Sequence, residues 1–367
     1  MLIETGGIDR ANTLLVAACD AFARRPRPSP VDIEQFEALV TRLFPTAAPA
    51  ARARAAQTLG RADTLSPKLE ALVVEHIGEQ LPEFAASAAH LSEATLLGLL
   101  ARGDTMLASA VARRGDLSNV VIARLFQMNS RRVYRSLALN GAIKAKGPYL
   151  SALARAAEMD HLVAATLADR EDFDTALLAP AFFDLSEENR LRVISAFAER
   201  HTPDAPIKRT LEQLSVATGE LTQALMKLFS QNRRPEVTRL IVQVTGLDEL
   251  RCGQIAHDTS GAALFVVIRA FGCSAQEGLK VLIHATSHDE DRSQFLKDFA
   301  RMFETVSADA MAFLLSAWRG DVNLLDLSRP EYLPFTQRRG SAAASTQRRP
   351  INEALEALEK LDTRRAG

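Results

Sequence analysis

Three cysteines, three tyrosines and one tryptophan are all that this 367-residue chain holds of those types. Cys19, Cys252 and Cys273 are far apart, odd in number and in no Cys-x-x-Cys pair. That spacing excludes a disulfide framework and a zinc site, so no metal is expected, and it predicts free thiols in a reducing cytoplasm. No apolar run approaches the length needed to cross a bilayer, and Glu4 and Asp9 interrupt the N-terminus early. Neither a membrane span nor a secretory signal is therefore expected. The formal net charge of -1 gives no whole-molecule field that would select nucleic acid or an anionic membrane. Neither the P-loop pattern nor G-x-G-x-x-G occurs, which removes the usual nucleotide cradles and leaves no cofactor predicted. Glycine, tryptophan and tyrosine are scarce while alanine and leucine abound, a mixture that offers few strand formers and favours helix.

What the chain does have is a period. Leu65, Leu91, Leu117 and Ile143 recur at one constant interval, and Ser66, Ser92 and Ser118 follow the first three. The interval, about 26 residues, lies within the range of stacked structural repeats. In the two units "HLSEATLLGLLARGDTMLASAVARRG" and "DLSNVVIARLFQMNSRRVYRSLALNG", Leu99 matches Leu125, Leu107 matches Val133 and Val111 matches Leu137. Ser92 and Ser118 suit N-caps, because a short hydroxyl accepts from the orphan N–H groups of a first turn. Gly103 and Asn129 tolerate the left-handed turn that ends a helix, and Asp104 and Ser130 then cap the second helix. Gly115 and Gly141 are placed to end it. Each unit reads as a hairpin of two short helices that cannot bury its apolar face alone, so neighbours must stack. A third copy returns to register only with about four inserted residues near Gly147 and Pro148.

The expected fold is all-α: an α-solenoid of short hairpins over 46–200, with hairpins at 65–90, 91–116 and 117–142. Residues 1–45 form N-terminal capping helices, split by "RPRPSP". A C-terminal helical domain covers 201–330, with "AALFVVIRAF" the most buried stretch. Residues 331–367 form a flexible tail. The run "LSEATLLGLLARGDTMLASAVARRGDLSNVVIARLF" resembles the helical-repeat section of domain of unknown function 2336, an alphaproteobacterial family, and its hairpins look like HEAT-type and leucine-rich-variant repeats. The likeness extends over about 40–320, through "GAALFVVIRAFGCSAQEGLKVLI" and "AMAFLLSAWR". It implies a helical-repeat fold, no assigned reaction and no functional residues to carry over. Arginine outnumbers lysine 36 to 8, which agrees with a GC-rich bacterial genome.

Charge is unevenly placed. From Leu117 to Ala157 no acidic residue occurs, and seven basic ones do: Arg124, Arg131, Arg132, Arg135, Lys144, Lys146 and Arg155. On a helical wheel Arg131, Arg132 and Arg135 fall within about a 100° arc, away from Val133 and Leu137. One repeat earlier those positions hold Thr105, Met106 and Ser109, so the basic patch is not required by the repeat itself. It suits an acidic or phosphorylated protein partner, which arginine forks recognise well. It also suits nucleic-acid phosphates, with Tyr134 or Tyr149 to stack on a base. A solvated face that pairs with the acidic stretch after it is a third reading.

Other constellations are weaker. His284 and His288 share a helical spacing but lack the glutamate of H-E-x-x-H, and "HDTSG" (257 to 261) puts three triad residue types close in sequence without a nucleophile elbow. In "INEALEALEKLD" the side chains Ile351, Leu355, Leu358 and Leu361 recur at helical spacing on a segment too short to hold itself helical. The tail is thus expected to dock, on its own solenoid, on a partner or on a second copy as a homo-oligomer contact. The function expected is a non-enzymatic scaffold or regulatory adaptor that binds a protein partner. The alternative is a DNA- or RNA-binding repeat protein using 117–157.

Overall fold

In the computed structural model, which describes residues 2–25, 29–62, 65–199, 218–286 and 293–327, the chain is all-α. Twenty α-helices and no strand occur among the described residues. Two compact units divide it, 1–156 and 157–367. Residues 201–209 at the start of the expected C-terminal domain, the tail and its stripe Ile351, Leu355, Leu358 and Leu361 lie outside the described residues, as does His288.

In the first unit, α1 (Leu2–Ala23), α2 (Pro30–Leu43) and α3 (Pro49–Gly60) precede three hairpins. These are α4 (Pro67–His76) with α5 (Leu81–Ser87), α6 (Glu93–Ala101) with α7 (Thr105–Ala112), and α8 (Asn119–Gln127) with α9 (Arg131–Leu139). The first helices of the hairpins stack in one row, α2–α4–α6–α8, and the second helices in another, α3–α5–α7–α9. The period explains why. Val73, Leu99 and Leu125 are equivalent and buried in the first row; Leu81, Leu107 and Val133, with Ala85, Val111 and Leu137, are equivalent and buried in the second. Each leucine or valine so placed contributes about 1.5–3 kcal/mol.

The helix starts follow the sequence closely. Ser66, Ser92 and Ser118 accept from the N–H groups of Leu69, Thr95 and Val121, and Asp104 accepts from Met106 and Leu107. Gly103 and Asn129 take the left-handed conformation, with φ of 72° and 49°. Two expectations fail. Ser130 holds the cap position of α9 but makes no side-chain bond to it. Gly115 and Gly141 do not adopt positive φ and do not stop α7 and α9.

Helix ends are met instead by side chains from the next hairpin. Arg114 is buried, and its Nη1 donates to the carbonyls of Ala85 at 3.0 Å and Ala88 at 2.7 Å, at the end of α5. Its Nε and Nη2 hold Asp116 in a two-pronged pair at 2.8 and 2.6 Å. One period later Asn140 does the same, donating to the carbonyls of Ala112 at 2.8 Å and Arg114 at 2.6 Å. These are carbonyls without an intrahelical partner, and a buried one left unmet is costly.

The second unit starts within α10 (Pro148–Met159) and continues with α11 (His161–Ala168), a 3₁₀ segment Thr175–Asp184, and α12 (Glu187–Glu199). The expected insertion is there. Asp160 caps α11 as Asp104 caps α7, and Arg170 grips Asp172 as Arg114 grips Asp116, each two periods further on plus the inserted residues. Then come α13 (Thr218–Ser230), α14 (Arg234–Thr245), α15 (Glu249–His257), α16 (Ala262–Ala270), α17 (Ala275–Ala285), α18 (Ser293–Thr305), α19 (Ala308–Arg319) and α20 (Leu324–Leu327). The core lies where α16 packs on α19. In α16 only Arg269 escapes burial, as the all-round apolar pattern predicts, and every residue from Ala310 to Trp318 is buried. Phe182 and Phe183 pack on Trp318 with ring centroids 4.8 and 4.9 Å apart.

Arginine forks close helix ends here too. Arg192 reaches the carbonyl of Ala168 at 3.1 Å, Arg269 that of Val306 at 2.7 Å, Arg319 that of Thr245 at 3.2 Å, and Arg234 that of Ala285 at 3.2 Å. Arg251 donates to the carbonyl of Trp318.

The three thiols are free and fully buried. Burial pushes each up to about 12, so the reactive thiolate is scarce at neutral pH. At pH 8 iodoacetamide is expected to leave the native chain unlabelled while labelling all three cysteines in denaturant. Rapid labelling without denaturant would contradict the burial.

Candidate partner-binding surface

All seven basic residues of the predicted patch are exposed. They do not form one cluster. Arg131, Arg132 and Arg135 share the outward face of α9, in the second row of helices. Arg124 stands on α8, in the first row. Lys144 and Lys146 lie in the loop that follows α9, where Lys144 donates to the carbonyl of Gly141 at 3.1 Å, and Arg155 stands on α10.

Arg124 borders a shallow open groove of about 440 Å³ lined by Leu97, Asn119, Val120, Ala123 and Gln127. The floor is apolar, with Val120 55% exposed, and Arg124 bonds loosely to Gln127 at 3.4 Å. Helix α8 contributes all of this lining but Leu97, which stands on α6.

Both tyrosines take part in packing. Tyr134 is buried, and its hydroxyl donates to the carbonyl of Phe126 and to Asn129 Oδ1, both at 3.1 Å. Tyr149 stacks on Phe126, with centroids 6.0 Å apart and planes 15° from parallel, and its hydroxyl donates to Asn119 Oδ1 at 2.8 Å. Both rings pack on Phe126 of α8, and the left-handed turn at Asn129 leads from α8 into the helix that carries Tyr134. Burial raises the Tyr134 hydroxyl above its ordinary range.

The register holds a feature that a comparison of two repeats does not expose. A second period back from Arg131, Arg132 and Arg135, beyond Thr105, Met106 and Ser109, stand Glu79, Gln80 and Glu83. All three are exposed, Glu79 and Gln80 in the turn that leads into α5 and Glu83 in its first turn. The outward face of the second row therefore runs from acidic at α5, through neutral on α7 with Met106 53% exposed, to basic on α9. Three repeats set in register reveal it.

The remaining candidates resolve as structure. Asp258 of "HDTSG" is a helix cap: its carboxylate accepts from Ser260 N–H and Oγ and from Ala263 N–H, and pairs with Arg190 at 3.0 Å. His257 Nδ1 lies 2.9 Å from the carbonyl of Gly253 in its own helix. Among the described residues no group of three or more His, Cys, Asp or Glu is placed to hold a metal ion, and no helix is long and apolar enough to cross a membrane.

A family model described as "Uncharacterised protein conserved in bacteria (DUF2336)" matches residues 85–316, well over half of the chain. The chain belongs to the DUF2336 family. The DUF2336 stretch opens in α5 and runs into α19, so it takes in the hairpins α6–α7 and α8–α9 and most of the second unit. No curated protein and no solved structure matches the chain.

Proposed function

We propose that this DUF2336 protein is a non-enzymatic scaffold or regulatory adaptor that binds an acidic or phosphorylated protein segment on its helical-repeat surface, in the reducing cytoplasm. The observation that carries the reading is the row Arg131, Arg132 and Arg135, exposed together on α9 in a stretch without one carboxylate. Planar guanidinium groups in an arc of this width engage carboxylates or phosphates two-pronged, which lysine does not. The HEAT-like stacking supports the reading by offering open helical faces. The nucleic-acid alternative loses support with Tyr134 and Tyr149 committed to packing, since single-strand binding leans on open aromatic faces.

The test replaces all three arginines with glutamine and measures binding of a fluorescent polyglutamate peptide, a phosphopeptide, and duplex and single-stranded DNA. The unfolding free energy should shift by less than about 0.5 kcal/mol, because exposed substitutions of this kind are nearly neutral. Peptide affinity is expected to fall at least about tenfold, the equivalent of about 1.4 kcal/mol. DNA binding that is tighter than peptide binding and falls steeply with salt would put the alternative first.

The tail belongs to the same reading. Its stripe Ile351, Leu355, Leu358 and Leu361 alternates with Glu353, Glu356 and Glu359, an acidic amphipathic pattern. Tethered, such a segment competes at an effective concentration of about millimolar. Deleting 337–367 is expected to leave the unfolding midpoint unchanged and to raise affinity for the polyglutamate peptide. If affinity stays the same, the tail has no part in regulation.

A further inference from the structure

The graded face of the second row has a symmetry of its own. Helices α5, α7 and α9 stack side by side, α5 against α7 and α7 against α9, at separations of about 8–10 Å for packed helices. Glu83 of α5 stands two full periods before Arg135 of α9, and Glu79, in the turn just before α5, stands two periods before Arg131 at the start of α9. Between them stand Thr105, Met106 and Ser109 of α7, a row with no charge. Rotate such a face by half a turn about an axis through the middle of α7. With that axis running along α7, the acidic edge falls on the basic edge, and the order along each helix is kept. Two copies related this way complement each other at both edges. A copy turned over about an axis that runs across the helices sets like against like.

We propose that the α5–α7–α9 face is a two-fold interface between two copies of this chain, with Glu83 of one facing Arg135 of the other and Glu79 facing Arg131. This rests on the reading of α9 as a protein-binding surface and names its partner as the chain itself. An isologous contact of this kind uses one patch twice and closes after two copies. Met106 lies near the axis, where the exposed thioether of one copy meets that of the other, a flexible apolar contact suited to the dry centre of an interface. The charged pairs at the edges set orientation and register more than strength.

The experiment is sedimentation velocity of the full-length chain from about 1 to 100 μM, a range that brackets micromolar affinity. Three samples accompany the wild type: Arg131→Glu/Arg132→Glu/Arg135→Glu, Glu79→Arg/Glu83→Arg, and an equimolar mixture of the two. The wild type is expected to dimerise with concentration and to weaken with salt. Each variant alone, carrying one sign across the whole face, is expected to stay monomeric. Their mixture is expected to recover a dimer, since each restores the edge that the other lost, and that recovery also shows that both variants are folded. A wild type that stays monomeric throughout, or a dimer that persists in both variants, overturns the proposal. The outcome is separate from the function proposed above: polyglutamate binding that depends on the α9 arginines in a monomeric wild type keeps that reading and removes only the dimer.

Discussion

Arg114→Ala is expected to lower the stability of the first unit by about 3 kcal/mol or more. The side chain is buried, and removing it leaves the carbonyls of Ala85 and Ala88 unmet between α5 and the next hairpin. Each buried acceptor so orphaned costs about 1–3 kcal/mol. Asp116 adds less, because its carboxylate is 38% exposed and water takes over when the fork leaves. Arg114→Lys is expected to recover less than half of the loss, since one ammonium cannot hold Asp116 two-pronged and still reach two carbonyls. Equilibrium denaturation of the three proteins measures this. A loss under about 0.5 kcal/mol for the alanine variant, the size of an ordinary surface change, would mean that the carbonyls find water and the fork is ornamental.

The second large effect is expected at Gly278→Ala in α17. A methyl group there would lie 2.1 Å from Phe303 Cζ and 2.8 Å from Cε1, well inside van der Waals contact. The ring has little room to retreat. It meets Phe265 edge-on at 4.8 Å, and the Arg269 guanidinium sits 5.9 Å from its centre. Overpacking a tight core costs about 1–3 kcal/mol. Against it stands a gain of about 1 kcal/mol from replacing glycine by alanine inside a helix. The clash wins, because the nearest approach leaves no ordinary contact distance even after a shift of a few tenths of an ångström. The combination Gly278→Ala with Phe303→Leu is expected to recover part of the loss, as contacting residues couple. If Gly278→Ala alone raises the melting temperature, the ring moves freely and the close approach is not a constraint.

The parts of the fold that could be read beforehand are those written locally. Ser66, Ser92, Ser118 and Asp104 act within one turn of their own position, so spacing alone identifies them. Asn129 and Gly103 announce their turns by residue type, and the extra residues before Asp160 appear as a slip in register. The other C-terminal ends were not legible, because what closes them comes from elsewhere in the fold. Arg114 reaches 26 residues back to Ala88, and Arg319 reaches 74 residues back to Thr245. A surplus of arginine over lysine looks like a genomic habit until those partners are seen. Tyr134 misled for a related reason: beside arginines it looks available, yet its hydroxyl has two acceptors eight and five residues away on the preceding turn. The acidic edge at α5 was legible in principle, but only across two periods and not one.

The way Arg114, Asn140 and their counterparts join one hairpin to the next has a consequence for descent. A guanidinium or carboxamide that donates to main-chain carbonyls reads nothing of the side chains that those residues carry. The neighbour at the joint can be alanine at position 88 or arginine at position 114 without altering what is recognised. Duplicated hairpins joined so can diverge at nearly every other position and still seat against each other. Positions 114 and 140 are then where homologous chains should keep a donor while their faces drift apart, and a library that randomises the exposed positions of α5, α7 and α9 should yield folded proteins at a far higher rate than one that randomises these two.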